Sequence, residues 1–215
     1  MQFETNKIVN MPKIDKVFDT EVLTYKCDIT EFYQNKEFID SLDLLFTFPE
    51  LRQHLNDQQH GEALSTAGYN NINVWALPGI EYLLHWVKDR QIELGQHYGR
   101  PVKDIAYSRI WVNRMFKGCE GKIHDHTTQS GVEFISIFYI DVPEDSGSQL
   151  VFVKDGKLND LESDYPEDQK YRLSPASGDF VLHAPFLPHG VSKHNSDKPR
   201  TCLVLEGVFV LEENN

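Results

Sequence analysis

In the first hundred residues, two stretches repeat apolar positions every three or four residues. Phe38, Ile39, Leu42 and Leu45 follow Asn35 and stop at Phe48-Pro49-Glu50, which predicts a short helix. Ile80, Leu83, Leu84, Val87 and Leu94 follow Pro78-Gly79 on one face, with Glu81, Lys88, Asp89 and Arg90 largely elsewhere, which predicts a longer helix over 79–98. Trp75 and Trp86 read as core residues. Within 1–31, Val17-Phe18 and Val22 to Tyr25 are short β-like pieces suited to an edge strand.

Beyond Pro101 the helical period gives way to short runs of β-branched and aromatic residues. Strands are predicted over 105–115, 131–142, 148–153, 170–173, 178–183 and 201–211. Turn-forming clusters at 143–147, 154–156 and 177–179 separate several of them. Many short strands after a helical preface predict a mainly β fold, a double-stranded β-helix (jelly roll, cupin-like) braced by N-terminal helices. Residues 1–215 read as a single domain, with 1–100 as helical support and 101–215 as the jelly-roll core.

Length and composition agree with this, since 215 residues at 40% hydrophobic can bury a full core without disulfides. Cys27, Cys119 and Cys202 lack the short spacing of a zinc or redox site and read as reduced thiols. With no leader pattern and no apolar run near 18 residues, a cytoplasmic protein is expected. The net charge of -12 opposes phosphate backbones and anionic membranes, so neither nucleic acid nor membrane is an expected partner. The acidic stretch 155–169 reads as a solvated loop; at a barrel mouth it would favour a basic or peptide substrate.

The chemistry is concentrated in histidines. In Gly121-Lys122-Ile123-His124-Asp125-His126-Thr127 two imidazoles stand two residues apart, so an extended backbone points both to one face and Asp125 to the other. His189 follows 63 residues after His126, behind a predicted strand. A lone histidine is usually a surface or core residue. Two from one strand and a third from a distant one, however, would hold one face of a metal and leave the opposite positions open. Asp125 becomes the ligand in place of His126 only if the strand bulges. His183 reads as a surface residue or one that touches a ligand. Arg109 and Asn113 share a strand face with Trp111, where they either line the pocket or make structural hydrogen bonds.

In order, the chain has Trp111 and Asn113 on one strand, the His124/His126 pair, the strand Ile135-Ser136-Ile137-Phe138-Tyr139-Ile140, then Gly178 to Leu182, His189, and Arg200 eleven residues on. This series resembles the 2-oxoglutarate and iron(II)-dependent oxygenases, in particular the prolyl-hydroxylase-like branch and small phage-encoded members. The resemblance covers roughly 109–209. It implies iron(II), 2-oxoglutarate and O2, with hydroxylation of a peptide side chain or small molecule and release of succinate and CO2. It also implies that Arg200 and Tyr139 meet the distal carboxylate of 2-oxoglutarate, a role for which a guanidinium fork is suited. Asn113 is assigned to the same pocket. A homodimer is compatible, and a phage-encoded member would work in its host's cytoplasm.

The usual triad of that family has an acid where His126 stands. The change leaves the site one unit more positive and brings three-histidine cupin dioxygenases, which do not use 2-oxoglutarate, into consideration. A non-catalytic metal-binding jelly roll, or a sugar- or partner-binding β-sandwich with incidental histidines, are the rival readings.

Overall fold

The structure is a computed structural model that describes residues 11–28, 36–48, 59–67, 72–127 and 131–212. Twelve strands lie in these segments: β1 (Lys13–Val17), β2 (Thr20–Lys26), β3 (Gln59–His60), β4 (Ala63–Ser65), β5 (Val102–Met115), β6 (Glu120–His124), β7 (Phe134–Asp141), β8 (Leu150–Val153), β9 (Lys170–Leu173), β10 (Asp179–His183), β11 (His189–Val191) and β12 (Arg200–Leu211). A seven-stranded sheet runs β1-β2-β10-β7-β12-β5-β4 and a five-stranded sheet β3-β6-β11-β8-β9, with antiparallel pairing throughout. This is the expected jelly roll.

The two sheets close on a shared apolar layer in which Trp111, Ile135, Ile137, Tyr139, Val181, Cys202 and Val204 of the large sheet meet Leu150 and Phe152 of the small one. The other face of the large sheet is covered by helices. Phe134, Phe138, Ile140, Phe180, Leu203 and Leu205 pack there against Phe38 and Leu42 of the helix Lys36–Leu45 and against Leu83, Val87 and Leu94 of the helix Ile80–His97. Strand β7 is therefore buried on both faces from Phe134 to Ile140, which is why it reads as a continuous apolar run rather than an alternating one. Its odd residues face the barrel and its even ones the helices.

The long helix matches its predicted face, with one polar exception. Gln91 is fully buried on it, donating to Ser136 Oγ at 2.8 Å and accepting from Tyr107 Oη at 2.6 Å, so the helix is bonded to the sheet as well as packed on it. Trp86 meets Phe138 and Phe180 edge-on, as expected of a core residue. Trp75 departs from expectation: it lies against Tyr107 but stays 43% exposed, because it sits in a short 3-10 turn outside the apolar stripe.

The first hundred residues supply more than a helical brace. β1 and β2 form a hairpin that extends one edge of the large sheet, β4 closes its other edge on β5, and β3 pairs with β6. Asn35 and Pro49-Glu50, read as marking the first helix, lie outside the described residues. The acidic stretch joins β8 to β9 through two 3-10 turns, and Glu162 and Glu167 are held by Lys170 and Arg172. Among the described residues no helix is long and apolar enough to cross a membrane.

Candidate functional site

β6 ends at His124, and His126 lies just beyond it, where the chain turns at Asp125. Asp125 Oδ1 accepts from the Thr127 amide at 3.1 Å and from Thr127 Oγ1 at 2.8 Å, so this carboxylate is committed to its own turn. His126 N donates to Pro185 O at 2.9 Å, which ties it to the segment leading into β11. His189, the first residue of β11, pairs with His124 across the small sheet. The ligand atoms of His124, His126 and His189 come within 4.8 Å of one another, the one such cluster among the described residues.

Each ring is fixed by what its Nδ1 touches. His124 Nδ1 lies 2.9 Å from Lys122 O, His189 Nδ1 2.9 Å from Leu187 O, and His126 Nδ1 2.7 Å from Glu206 Oε1. All three partners are acceptors, so Nδ1 carries a proton in each ring and Nε2 is the nitrogen left for a metal. Burial pulls the His124 pKa down to about 4 and that of His189 well below its ordinary value, so both rings are neutral at pH 7. His126 Nε2 is buried without a hydrogen-bond partner, although its Nδ1 is well bonded.

On the large sheet, residues of one parity on β12 face this cluster. β12 pairs Arg200 with Met115, Cys202 with both Asn113 and Tyr139, Val204 with Trp111, and Glu206 with both Arg109 and Ile135. The barrel is thus layered, with Arg200 at one end and Glu206 at the other. The cavity between the sheets is lined by the three histidines together with Trp111, Asn113, Tyr139, Cys202 and Arg200.

Arg200 is only 2% exposed and has no ion pair among the described residues. Its Nη1 donates to the weak acceptor Met115 Sδ at 3.2 Å, its guanidinium lies 4.9 Å from the Tyr139 ring centre, and its Nε has no partner. Tyr139 Oη is buried and unpartnered as well, and burial holds its pKa above the ordinary phenol value against the pull of Arg200. A buried cation and phenol on one cavity wall, with Arg200 Nε and Tyr139 Oη unpartnered, are the complement of an anionic ligand, because leaving such groups unpaired costs several kcal/mol in order of magnitude.

Comparison with curated proteins gave no match. A family model for 2OG-Fe(II) oxygenases matches residues 109–206, the stretch that carries the histidines, Tyr139 and Arg200. Over those residues the chain is similar to the 2OG-Fe(II) oxygenases. Solved structures share this chain's fold. The carbocyclase SnoK from nogalamycin biosynthesis superposes with a TM-score of 0.57 at 13% identity, covering 86% of this chain and 78% of that one. The epimerase SnoN from the same biosynthesis gives 0.54 at 14%, covering 87% and 77%. A prolyl hydroxylase from Trichoplax adhaerens, solved with a hypoxia inducible factor peptide fragment, gives 0.53 at 16%, covering 80% and 77%.

The donor set fits the cofactors of the family whose model matches. Three imidazoles that leave Nε2 for a metal suit iron(II), and Arg200 and Tyr139, with unpartnered Nε and Oη, suit the carboxylate of 2-oxoglutarate. Asn113 lines the cavity, but its Oδ1 accepts from Ser65 Oγ at 2.6 Å. Arg109 lies outside that lining: it bonds Ala67 O at 3.0 Å, stacks on Trp111 at 4.9 Å and comes within 4.0 Å of Glu206. His183 is not a surface residue: it is buried against the candidate ligand His189, ring centres 4.5 Å apart.

Two features escaped the sequence reading. One is β11, three residues long and too short to show a period. The other is Glu206, whose signal was available as a single charge inside the apolar run Thr201 to Leu211.

Proposed function

We propose that His124, His126 and His189 bind one iron(II) and that Arg200, with Tyr139, receives the distal carboxylate of 2-oxoglutarate in the same cavity, Asn113 lining it. When bound, iron(II) with 2-oxoglutarate and O2 supplies oxidising power, coupling decarboxylation to succinate and CO2 to hydroxylation of a substrate C–H bond. The chain's own part is to hold and exclude. Lys122 O, Leu187 O and Glu206 orient the three imidazoles. Arg200 neutralises and aligns the carboxylate, and the apolar walls of Trp111, Ile137, Leu150 and Val204 keep bulk water from the reacting atoms. The observation that carries this reading is the buried Arg200 guanidinium, without a counter-ion among the described residues, in the cavity that the three imidazoles line.

The primary substrate is a peptide side chain or a small molecule. The prolyl hydroxylase neighbour was solved with a peptide, and SnoK and SnoN belong to nogalamycin biosynthesis.

The test is anaerobic titration of the iron(II) protein with 2-oxoglutarate, following the metal-to-ligand charge-transfer band. A saturable band that weakens in Arg200→Met supports the assignment. Iron binding without any band favours a three-histidine dioxygenase that does not use 2-oxoglutarate, a reading the all-imidazole ligand set keeps in view. Absence of iron binding rejects both.

A further inference from the structure

An acid in the place of His126 would bring one negative charge to the metal, and an imidazole brings none. The structure supplies a carboxylate one residue removed. Glu206 is fully buried on the inner face of β12, and its Oε1 lies 2.7 Å from His126 Nδ1. Arg109 Nη1 also approaches Oε1, at 4.0 Å, so His126 is the closer of these two partners. Parity aims Glu206 at this point, since Arg200, Cys202, Val204 and Glu206 alternate along one face of the strand.

We infer that Glu206 is the positioning residue that replaces the missing carboxylate ligand, delivering its negative charge to the metal through His126. The inference rests on the three-histidine metal reading. Glu206 accepts the Nδ1 proton, which fixes the tautomer and makes Nε2 a stronger donor. A carboxylate behind a ligating histidine commonly acts in this way. The charge also counts directly. Iron(II), the imidazoles, dianionic 2-oxoglutarate and the Arg200 cation sum to one positive charge, which buried Glu206 offsets in part, its other near cation, Arg109, standing 4.0 Å off and 39% exposed. The ligand change and the buried glutamate are then two halves of one arrangement, in which the carboxylate has moved from the metal to the far side of the ring.

The experiment compares the wild-type chain with Glu206→Gln by anaerobic iron(II) and cobalt(II) titration, alongside the 2-oxoglutarate charge-transfer band and the unfolding temperature of the metal-free proteins. Gln keeps an acceptor for Nδ1–H and loses only the charge. The expected result is metal affinity lower by about 10–100-fold with the metal-free unfolding temperature retained, and a charge-transfer band moved to higher energy because the iron is less electron-rich. Affinity within about twofold of wild type, or an unmoved band, overturns the inference while leaving the metal site standing. Failure of the wild-type chain to bind either metal instead rejects the site reading itself.

Should Glu206→Gln not fold, nitrogen-15 imidazole spectra of the zinc-loaded wild-type chain decide. His126 ligated through Nε2 with a protonated Nδ1 upholds the inference. Ligation through Nδ1, or a bare Nδ1, overturns it.

Discussion

His189 stands opposite His124 across the β6–β11 pair, with ring centres 4.5 Å apart. The distance depends on how closely the two backbones approach, and that approach depends on the glycine beside His189. A Cβ built at Gly190 would lie 2.7 Å from Gly121 O and 3.0 Å from Ile123 Cδ1. Gly190→Ala must therefore push β11 away from β6. We expect it to lower stability by about 1–3 kcal/mol, the usual range for overpacking, and to weaken metal binding at the same time. Denaturant unfolding and iron titration of the variant check this, and a variant unchanged in both would break the link between strand spacing and site.

The choice between His126 and Asp125 as ligand is open to direct trial. Asp125 is bonded into its own turn with Thr127, whereas His126 Nε2 is buried and unpartnered. His124→Ala, His126→Ala and His189→Ala should each abolish stoichiometric iron binding, and Asp125→Ala should retain it. Iron retained by the His126 variant and lost by the Asp125 variant would reverse the assignment.

Arg200 presents a conflict between stability and function. As an ion without a counter-ion in a buried site it costs the metal-free fold free energy, so Arg200→Met should unfold at the same temperature as wild type or higher. The same variant should bind iron normally and lose about 100-fold in 2-oxoglutarate affinity, equivalent to roughly two charge-assisted hydrogen bonds. Calorimetry and cosubstrate titration measure the two effects separately; a less stable protein with intact 2-oxoglutarate binding would show Arg200 to be structural.

Gln91 should be worth more than its size suggests. Replacing it by Leu leaves the Tyr107 hydroxyl and the Ser136 hydroxyl facing an apolar side chain between helix and sheet. The expected loss is about 1–3 kcal/mol in urea unfolding, without effect on iron affinity, because β7 contributes Ser136 on its helix-facing side and Tyr139 on its barrel-facing side. A neutral result would mean that water satisfies both hydroxyls.

Particular residues show where sequence reading succeeds and where it stops. The jelly roll was legible because β7, β10 and β12 are apolar runs bounded by turn formers, and the long helix because Leu83, Val87 and Leu94 share a face. The metal cluster was legible because His124 and His126 are two apart and His189 follows at a distance suited to a second strand. Boundaries were less legible: the run predicted over 131–142 is a strand only from Phe134 to Asp141, and that predicted from 105 begins at Val102. Strand ends depend on the partner's hydrogen bonds, which local composition does not encode.

The sequence by itself determined the fold class and the three imidazoles, since each of these is expressed in period or spacing along one chain, and the family resemblance singled out the cationic Arg200 after them. Only the tertiary structure decided that Glu206 backs His126, that His183 packs on His189, and that Arg200 has no counter-ion within reach among the described residues. These are relations between strands far apart in the chain. They follow from pairing register and from which groups share a water-free interior, and a charge carries the same letter in the sequence whether the barrel closes over it or leaves it in solvent.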